Sequence, residues 1–339
     1  MNSKKYWEDR EKQKLKEQLK DVKKLESELK KVFTKASKDI EREIFSLFTK
    51  YAEDNNLNYA QASQLLTSKE FKQWKYDLKG YMKLIEQTGD EQLLLELNTL
   101  AMKSRISRLE EMLYQVNKYI DETFKTFEGG VYDLLEGSVS KSYYQTIYDT
   151  HKFIGVGASF SFVDKEMIEE ILSYPWSGFD FKTRIKINRD EFKKIVKQEI
   201  TQMIIQGNGS KEVAKSIAKK AGTSLSNAYR LVHTEHSWVM GEATAKAYKE
   251  LDVEYYQYSS ALDKRTCSDC GKWDGEIIKL SERVVGVNAS PLHPMCRCTE
   301  LPYIEDNYST RFARDAEGKG IEVPSNMTYK QWKKEFGID

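Results

Sequence analysis

The chain has 339 residues, of which 40% are hydrophobic and 32% are charged, and its formal net charge is +1. This near-neutral balance argues against a uniformly basic protein that coats nucleic acid. No apolar run approaches the length of about 20 residues that a membrane-spanning helix requires, so we expect no transmembrane segment. The length allows two or three domains, and the polar composition is typical of elongated helices more than of one large globule.

Residues 1–150 are predicted to form an elongated helical region, with a turn at 54–58, a short capped helix at 68–74 and a break at Gly89-Asp90. Two sets of apolar residues recur at steps of three and four, the period of one helix face. The second set follows a heptad pattern, which allows packing within the chain, our preferred interpretation, or a coiled coil with a partner or a second copy. The sets are Leu15, Leu19, Val22, Leu25, Leu29 and Val32, and Ile106, Leu109, Leu113, Val116 and Ile120.

Lysines are concentrated in the first 40 residues, which contain thirteen Lys or Arg and eight Asp or Glu. A basic helix can neutralise phosphates without recognising bases. Because acidic residues are interleaved with the lysines, we favour a solvated helix face.

The composition changes after Gly129-Gly130, and residues 151–185 are predicted to be a connector rich in glycine and aromatic residues. Residues 153–162 indicate a buried strand or a tight hairpin, followed by a helix at 164–172. The sequence Tyr174-Pro175-Trp176-Ser177-Gly178 then interrupts regular structure and is predicted to join two lobes.

Residues 189–250 are predicted to form three further helices, because glycine followed by serine or threonine marks junctions at 206–210 and 221–224. The last helix contains His233, Glu235 and His236. Their order differs from the H-E-x-x-H sequence of zinc proteases, so we expect these side chains to pack or to pair rather than to catalyse.

All four cysteines lie in two clusters, Cys267-Ser268-Asp269-Cys270 and His293-Pro294-Met295-Cys296-Arg297-Cys298. A C-x-x-C turn directs both sulfurs to one point, and a later His/Cys group can complete the tetrahedron of soft ligands that Zn²⁺ prefers. Five donors are available for four positions. We favour Cys267, Cys270, His293 and Cys296, because H-x-x-C repeats the reach of C-x-x-C, and we keep Cys298 as an alternate ligand.

The alternative is that some or all of these cysteines form disulfides. The first ten residues lack the apolar segment of an export signal, and a reducing cytosol favours thiolates on a metal. The zinc is expected to be structural, because a saturated set of three thiolates and one histidine leaves no position for water.

The cysteine region is also predicted to contain a small β-sheet. Residues 255–258 are rich in tyrosine and β-prone, Asp274-Gly275 is a hairpin turn, and Leu301-Pro302-Tyr303 is a candidate edge strand. Such a sheet buries too little surface to persist alone, so metal binding should couple to its folding. The predicted fold class is mainly α with a small zinc-stabilised, β-containing C-terminal module.

Several motifs follow one another in a fixed order in the second half of the chain. They are Tyr174-Pro175-Trp176-Ser177-Gly178, Arg184, Gln206-Gly207, Arg230-Leu231-Val232-His233-Thr234-Glu235, Asp263-Lys264-Arg265-Thr266-Cys267-Ser268-Asp269-Cys270, Asp274-Gly275 and His293-Pro294-Met295-Cys296-Arg297-Cys298. This order resembles the head-morphogenesis domain of tailed-phage minor head proteins of the Mu F-like type. The resemblance covers roughly residues 170–305. The resemblance is highly specific where three motifs occur together: D-x-R-T-C-x-x-C, D-G and H-P-x-C-R-C. The helical N-terminal half matches the family only in general character.

The resemblance implies a head-morphogenesis domain at residues 186–305, with a zinc knuckle at 267–298 whose ligands are Cys267, Cys270, His293 and Cys296, and a C-terminal tail at 306–339. His233 stands where the family usually has an arginine before Thr-Glu. Arg230 and Glu235 remain available for an internal ion pair.

The resemblance also implies a virion structural protein, a minor head protein associated with the portal that acts in head assembly, DNA packaging or ejection. The expected partners are the portal protein, the major capsid or scaffold protein, further copies of the chain and packaged DNA without sequence preference. The expected location is the capsid interior or portal vertex, and the host cytoplasm during assembly. No enzymatic activity is expected. The alternative is a metal-dependent nuclease or other hydrolase, in which His293, or His233 with Glu235, activates water at an open metal position.

Overall fold

The computed structural model describes residues 3–54, 58, 100–155, 157, 159–206, 210–260, 266–304, 310–314 and 320–324. Most of the turn predicted at 54–58, the helix predicted at 68–74 and the break at Gly89-Asp90 lie outside these residues. Within them, no helix has an apolar stretch that could cross a bilayer.

The described residues form long helices followed by short strands. The helices are α1 Ser3–Asp54, α2 Leu100–Ile154, α3 Lys165–Ser173, α4 Phe181–Gln206, α5 Ser210–Glu250 and α6 Ser268–Trp273, with a 3₁₀ turn at Leu280–Glu282. The strands are β1 Tyr255–Ser259, β2 Ile277–Lys279, β3 Thr299–Tyr303, β4 Thr310–Arg314 and β5 Gly320–Pro324. β1 lies between β2 and β3 in an antiparallel sheet, and β4 pairs with β5. The predicted fold class, mainly α with a small β-containing module, is therefore confirmed.

The chain divides into two compact units. The first contains Met1–Leu25, Gly130–Phe181 and Arg230–Asp339, and the second contains Glu26–Gly129 and Lys182–Tyr229. The cysteine clusters and the three-stranded sheet belong to the first unit.

In the first unit, the buried face of α1 agrees with the predicted one at Val22 and Leu25 but differs from it nearer the N-terminus. It passes through Lys14 and Gln18, whereas Leu19 is 39% exposed. The Lys14 ammonium lies 2.7 Å from Glu11 and donates to Thr244 Oγ1 at 3.4 Å, and Gln18 Nε2 donates to Ser142 Oγ at 2.9 Å. Neighbouring helices supply partners for Lys14 Nζ and Gln18 Nε2, whereas Gln18 Oε1 has no partner among the described residues. A pattern based on apolar residues cannot detect such contacts.

The glycine pair at 129–130 does not break the second helix, which continues to Ile154. A Cβ atom on Gly130 would lie 2.7 Å from the Cδ1 atom of Leu25. Gly130 therefore allows a close approach of α1 to α2 in the first unit, within a helix that passes from one compact unit to the other.

The predicted strand or hairpin at 153–162 is wrong. In the described residues 155, 157 and 159–164 the chain is neither helix nor strand, and Phe162 is 79% exposed. Side chains of α2 hold this segment, since Tyr143 donates to the Ser161 carbonyl at 2.9 Å and the Val163 amide donates to Tyr144 Oη at 2.9 Å. The helix predicted at 164–172 is confirmed as α3. Asp164 caps its N-terminus, because the Asp164 side chain accepts a hydrogen bond from the Met167 amide.

In the second unit, aromatic side chains from three helices form a core. The ring centroid of Phe124 lies 5.6 Å from that of Phe33 and 6.3 Å from that of Phe192. Val116 and Ile120 of the predicted heptad seam are also buried within the chain. This burial favours packing within the chain over a partner coil.

The helix junction predicted at 221–224 is wrong, because α5 runs through it without interruption. Ala221 and Ser224 are buried, and Thr223 Oγ1 donates to the Lys219 carbonyl at 3.3 Å. The hydroxyl of Thr223 is thus satisfied by its own helix instead of capping a new one. The earlier junction is placed correctly, since α5 begins at Ser210.

One histidine of α5 is buried in the first unit. His236 is 4% exposed, and its Nε2 atom has no hydrogen-bond partner in the described part of the chain. Burial lowers the pKa of His236 from 6.5 to about 4, and the nearby His233 acts in the same direction.

We predict that His236 reduces stability as the pH falls from 6.5 to about 4. Above this window the imidazole is neutral in both the folded and the unfolded chain. Within the window the unfolded chain binds a proton that the folded chain does not, so the free energy of unfolding should fall by up to about 3 kcal/mol. Urea unfolding at several pH values measures this slope. His236→Gln should flatten it, whereas the control His151→Gln should not, and equal slopes in all three proteins would contradict the assignment.

Candidate metal centre

The first cysteine pair is positioned by the short helix α6. Cys267 is the N-cap residue of this helix, and its Sγ atom accepts a hydrogen bond from the Cys270 amide at 3.4 Å. One helical turn therefore places both sulfurs on the same side of the chain. Cys270 is buried, whereas Cys267 is partly exposed.

The second group lies on a loop that approaches Cys270. The Nε2 atom of His293 lies 3.3 Å from Cys270 Sγ, and Cys296 Sγ lies 3.8 Å from it. The Met295 amide donates to Thr234 Oγ1 of α5 at 3.1 Å, which fixes the loop between these two donors. Met295 has a φ of 63°, so the chain makes a tight turn here.

The five candidate donors form two groups that share Cys270. The donor atoms of Cys267, Cys270 and His293 all lie within 4.8 Å of one another, and so do the sulfurs of Cys270, Cys296 and Cys298. The structure thus brings together every donor that the sequence predicted, including the alternate Cys298. No disulfide joins any of the four cysteines, so the disulfide alternative is not observed.

The tautomer of His293 suits a metal ligand. Its Nδ1 atom lies 2.8 Å from the Pro294 carbonyl oxygen. A carbonyl oxygen only accepts hydrogen bonds, so Nδ1 must carry the proton. The lone pair is then on Nε2, the atom that faces Cys270, and a backbone carbonyl on the second ring nitrogen is typical of metal-bound histidine.

The donor set fits Zn²⁺. Thiolate and imidazole are the ligands that zinc prefers in structural sites. Two thiolates at about 2.3 Å from a tetrahedral zinc are separated by about 3.8 Å, and the sulfurs of Cys270 and Cys296 lie 3.8 Å apart.

The thiols have unequal pKa values. A hydrogen bond from Cys298 lowers the pKa of Cys296 to about 4, whereas burial raises the pKa of Cys270 to about 11. The hydrogen bond from the Cys270 amide lowers the pKa of Cys267. Without a metal, the buried cluster therefore favours one thiolate that accepts from neighbouring thiols.

Two hydroxyl groups orient the buried sulfurs. The fully buried Tyr258 donates to Cys270 Sγ at 3.7 Å and also interacts with Cys298. Ser290 Oγ donates to Cys296 Sγ at 3.6 Å. Hydroxyl donors of this kind stabilise thiolates without competing for the metal.

A buried ion network, which the sequence did not reveal, fixes the same loop. Arg283 donates to Glu242 of α5, and its Nε atom donates to Glu300 of β3 at 2.6 Å. Glu300 also accepts from the Ser290 amide at 3.0 Å. The side chains of Arg283 and Glu300 are only 8% and 2% exposed. Lone Arg and Glu residues at these separations have no sequence signature.

Gly241 makes room for this network. A Cβ atom at this position would lie 3.1 Å from Arg283 Nη2 and 3.2 Å from the Ser290 carbonyl oxygen. A side chain at residue 241 would therefore press on the loop, and glycine makes the close approach of the loop to α5 easier.

Of the residues of the alternative hydrolase site, His293 lies beside the cysteines, whereas His233 and Glu235 are not part of the metal-ligand groups found in the described residues. Glu235 is buried and accepts from Trp176 Nε1 at 3.1 Å, and the metal-ligand groups of the described residues do not include it. Arg230 is exposed and makes no ion pair with Glu235. Rings at 174 and 176 stack on Trp238, so the segment predicted to join two lobes packs on α5 in the first unit.

Comparison with known proteins agrees with this geometry. Residues 194–301, which include all five candidate donors, match the family described as Phage Mu protein F like protein. The chain is also 24% identical over 326 residues to the minor head protein GP7 of Bacillus phage SPP1, a match that covers 91% of this chain and 92% of that protein. Residues 194–301 are thus similar to the Mu F-like family, and the chain is similar over nearly its whole length to a phage minor head protein. This confirms the resemblance drawn from the motifs of residues 170–305.

A second protein that is similar to the chain has an enzyme name. It is 23% identical over 295 residues to the NAD(+)--arginine ADP-ribosyltransferase EFV of Enterococcus faecalis. That match covers 76% of this chain but only 60% of the transferase. No solved structure matches the chain significantly.

We predict that Arg283→Met lowers the free energy of unfolding by about 3–5 kcal/mol, because it leaves the buried carboxylate of Glu300 unpaired. Glu300→Gln should cost less, since its amide oxygen can still accept from Ser290. Urea unfolding measures both values.

The matched control for this prediction is Arg189→Met. Arg189 is 31% exposed and pairs with exposed carboxylates, so its loss should cost no more than about 1 kcal/mol. Equal costs for the two arginines would show that the buried network does not stabilise the loop.

Proposed function

We propose that this Mu F-like protein is a minor head component of a tailed-phage virion, situated in the capsid interior or at the portal vertex and present in the host cytoplasm during assembly. The main support is the match to the SPP1 minor head protein, which covers 91% of this chain and 92% of that protein. A match of nearly full length in both chains supports a shared architecture and not only a shared metal-binding motif. The role follows as structural, in head assembly and in DNA packaging or ejection.

The proposed partners are the portal protein, the major capsid or scaffold protein, further copies of the chain and packaged DNA. The proposed division remains a helical region at 1–150, a connector at 151–185, a head-morphogenesis domain at 186–305 and a tail at 306–339. The family match at 194–301 lies within the third of these segments.

The proposed cofactor is a structural Zn²⁺ held by Cys267, Cys270, His293 and Cys296, with Cys298 as the alternate ligand. Support comes from the donor chemistry, the 3.8 Å separation of two sulfurs and the tautomer of His293. When bound, the metal would join α6 to the loop before β3 and neutralise the buried thiolates. Four protein ligands leave no position for a reactive water, so the site would stabilise the module without catalysing a reaction.

We predict one bound zinc per chain and a loss of that zinc in Cys270→Ser, because Cys270 belongs to both donor groups. Metal content by mass spectrometry and unfolding with and without a chelator measure the effect. Chelation should loosen the C-terminal module before the long helices, detected as new proteolytic cleavage between residues 260 and 304.

The choice between the fourth ligands is tested by a matched pair of variants. His293→Ala should weaken zinc binding at least about tenfold, whereas Cys298→Ala should retain full occupancy. The reverse result would assign the position to Cys298. The metal centre would be refuted if neither variant lost its zinc and Cys270→Ser lost none either.

An ADP-ribosyltransferase activity is the second candidate, supported by the name of the similar Enterococcus faecalis protein. The aligned region covers 60% of that enzyme, and we propose that the transferase activity belongs to the part outside it. Incubation of the full chain with labelled NAD and an arginine substrate should give no transfer, and turnover would favour this second candidate.

We predict that cross-linking mass spectrometry on intact particles of the phage that encodes the chain will join it to portal or capsid protein. Zinc measured on the same particles should scale with the copy number of the chain. Absence from purified particles, or cross-links to host proteins alone, would refute the head function.

A further inference from the structure

Residues 182–229 are markedly more basic than the chain as a whole. They contain eleven Lys or Arg and four Asp or Glu, whereas the whole chain has 54 and 53. The segment comprises most of α4 and the first half of α5, and it lies in the second compact unit. The remainder of the chain, taken together, is net acidic.

Part of this positive charge is neutralised inside the unit. Asp121 of α2 accepts from Lys193 Nζ at 2.7 Å and lies 3.6 Å from Arg189 Nε. The Glu199 carboxylate accepts a hydrogen bond from Ser216 Oγ at 2.6 Å. Six further lysines are exposed and make no ion pair within the described ranges: Lys186, Lys194, Lys211, Lys215, Lys219 and Lys220.

The periodicity of α5 places its lysines away from the core. Lys211, Lys215 and Lys219 recur every four residues, and the buried Val213, Ile217 and Ala221 recur with the same period two residues later. Two residues correspond to about 200° around an α-helix. The lysines therefore form a row opposite the buried stripe, with about 6 Å between successive positions.

The corresponding side of α4 is also basic. Lys194 stands two residues from both Phe192 and Val196, which are buried. It therefore points away from the core in the same manner as the lysines of α5. We use the name lysine face for these six exposed lysines, of which Lys194, Lys211, Lys215 and Lys219 stand opposite the buried residues of their helices, and Lys186 and Lys220 are next to the buried Ile185 and Ala221.

We infer that the lysine face binds the phosphate backbone of double-stranded DNA without base recognition, an inference that rests on the proposed head function. A DNA duplex has about one negative charge per 1.7 Å of its axis, so a row of lysines can release many counterions from it. The described residues of this segment expose no aromatic side chain. Stacking on aromatic rings is what single strands require, so a duplex is favoured.

An acidic protein is a weaker candidate for the same surface. Protein interfaces have a core of apolar and aromatic residues inside a polar rim. Ile187, 39% exposed, is the only large exposed apolar residue among those whose side chains are described in the segment. The lysine face therefore offers charge without an apolar anchor.

The inference assigns the DNA contact to a different place from the lysine-rich start of α1. The first 40 residues contain thirteen basic and eight acidic residues. The half of α5 in the second unit contains four lysines and a single acidic residue, Glu212. Interleaved carboxylates repel phosphates, so α1 provides a natural control.

The test measures binding of the full chain to a random-sequence duplex of about 30 base pairs by fluorescence anisotropy across a range of salt. The variant K211Q/K215Q/K219Q/K220Q should reduce the slope of log K against log salt by about 3–4, at about 0.9 per lost phosphate contact. The control K30Q/K31Q/K35Q/K38Q removes the same charge from exposed positions of α1 in the same unit, and it should change the slope by less than about 1.

Each outcome decides the inference. Equal losses in the two variants, no binding by the wild type, or displacement of the duplex by polyglutamate of equal charge would each overturn it. Circular dichroism checks that the variants fold. If the first variant does not fold, K186Q/K194Q provides a second test, with an expected reduction of the slope by about 2. Loss of DNA binding with intact cross-links to head components overturns this inference alone, whereas loss of those cross-links overturns the proposed head function.

Discussion

The segment between the 3₁₀ turn and β3 is held by side chains, and the arrangement of the C-terminal module depends on this constraint. Among the described residues outside the named strands, the only β-bridge lies within this segment and joins Val285 to Ala289. The Arg283 network ties one end of the segment to α5 and β3. The cysteine cluster ties the other end to α6. Since β3 follows directly, its register with β1 depends on both.

The core of this module is built from tyrosines whose hydroxyl groups are used. Tyr256 and Tyr258 are fully buried, and as i and i+2 residues of β1 they point to the same face of the sheet. Tyr256 donates to the Asn288 carbonyl at 3.2 Å, and Tyr258 donates to the sulfur of Cys270. A core of apolar residues alone would leave the buried thiols without donors. The tyrosines thus supply both apolar area and polar partners to a sheet of only three short strands.

Local signals predicted much of the fold and of the candidate site. Asp274-Gly275 is a turn with a φ of 85° at Gly275, although it joins α6 to β2 and not two strands of a hairpin as predicted. The C-x-x-C spacing fits one turn of α6. Signals that depend on distant partners misled the sequence analysis. The glycines at 129–130 and the Gly-Thr-Ser run at 222–224 have the composition of breaks, yet tertiary packing keeps both helices continuous. Likewise, Lys14 and Gln18 are polar by type but buried, and Thr244 and Ser142 accept hydrogen bonds from them. The hairpin of β4 and β5 was not predicted at all.

The vacancy at Gly241 has a consequence for how the sequence can vary. Glycine inside a helix is disfavoured relative to alanine by about 1 kcal/mol, so drift alone would tend to replace it. The guanidinium of Arg283 and the backbone of Ser290 occupy the space that a methyl group would need. Position 241 should therefore stay small in relatives that keep an arginine at position 283. Loss of that arginine would relieve only one of the two contacts, because the Ser290 carbonyl oxygen also lies 3.2 Å from the Cβ position.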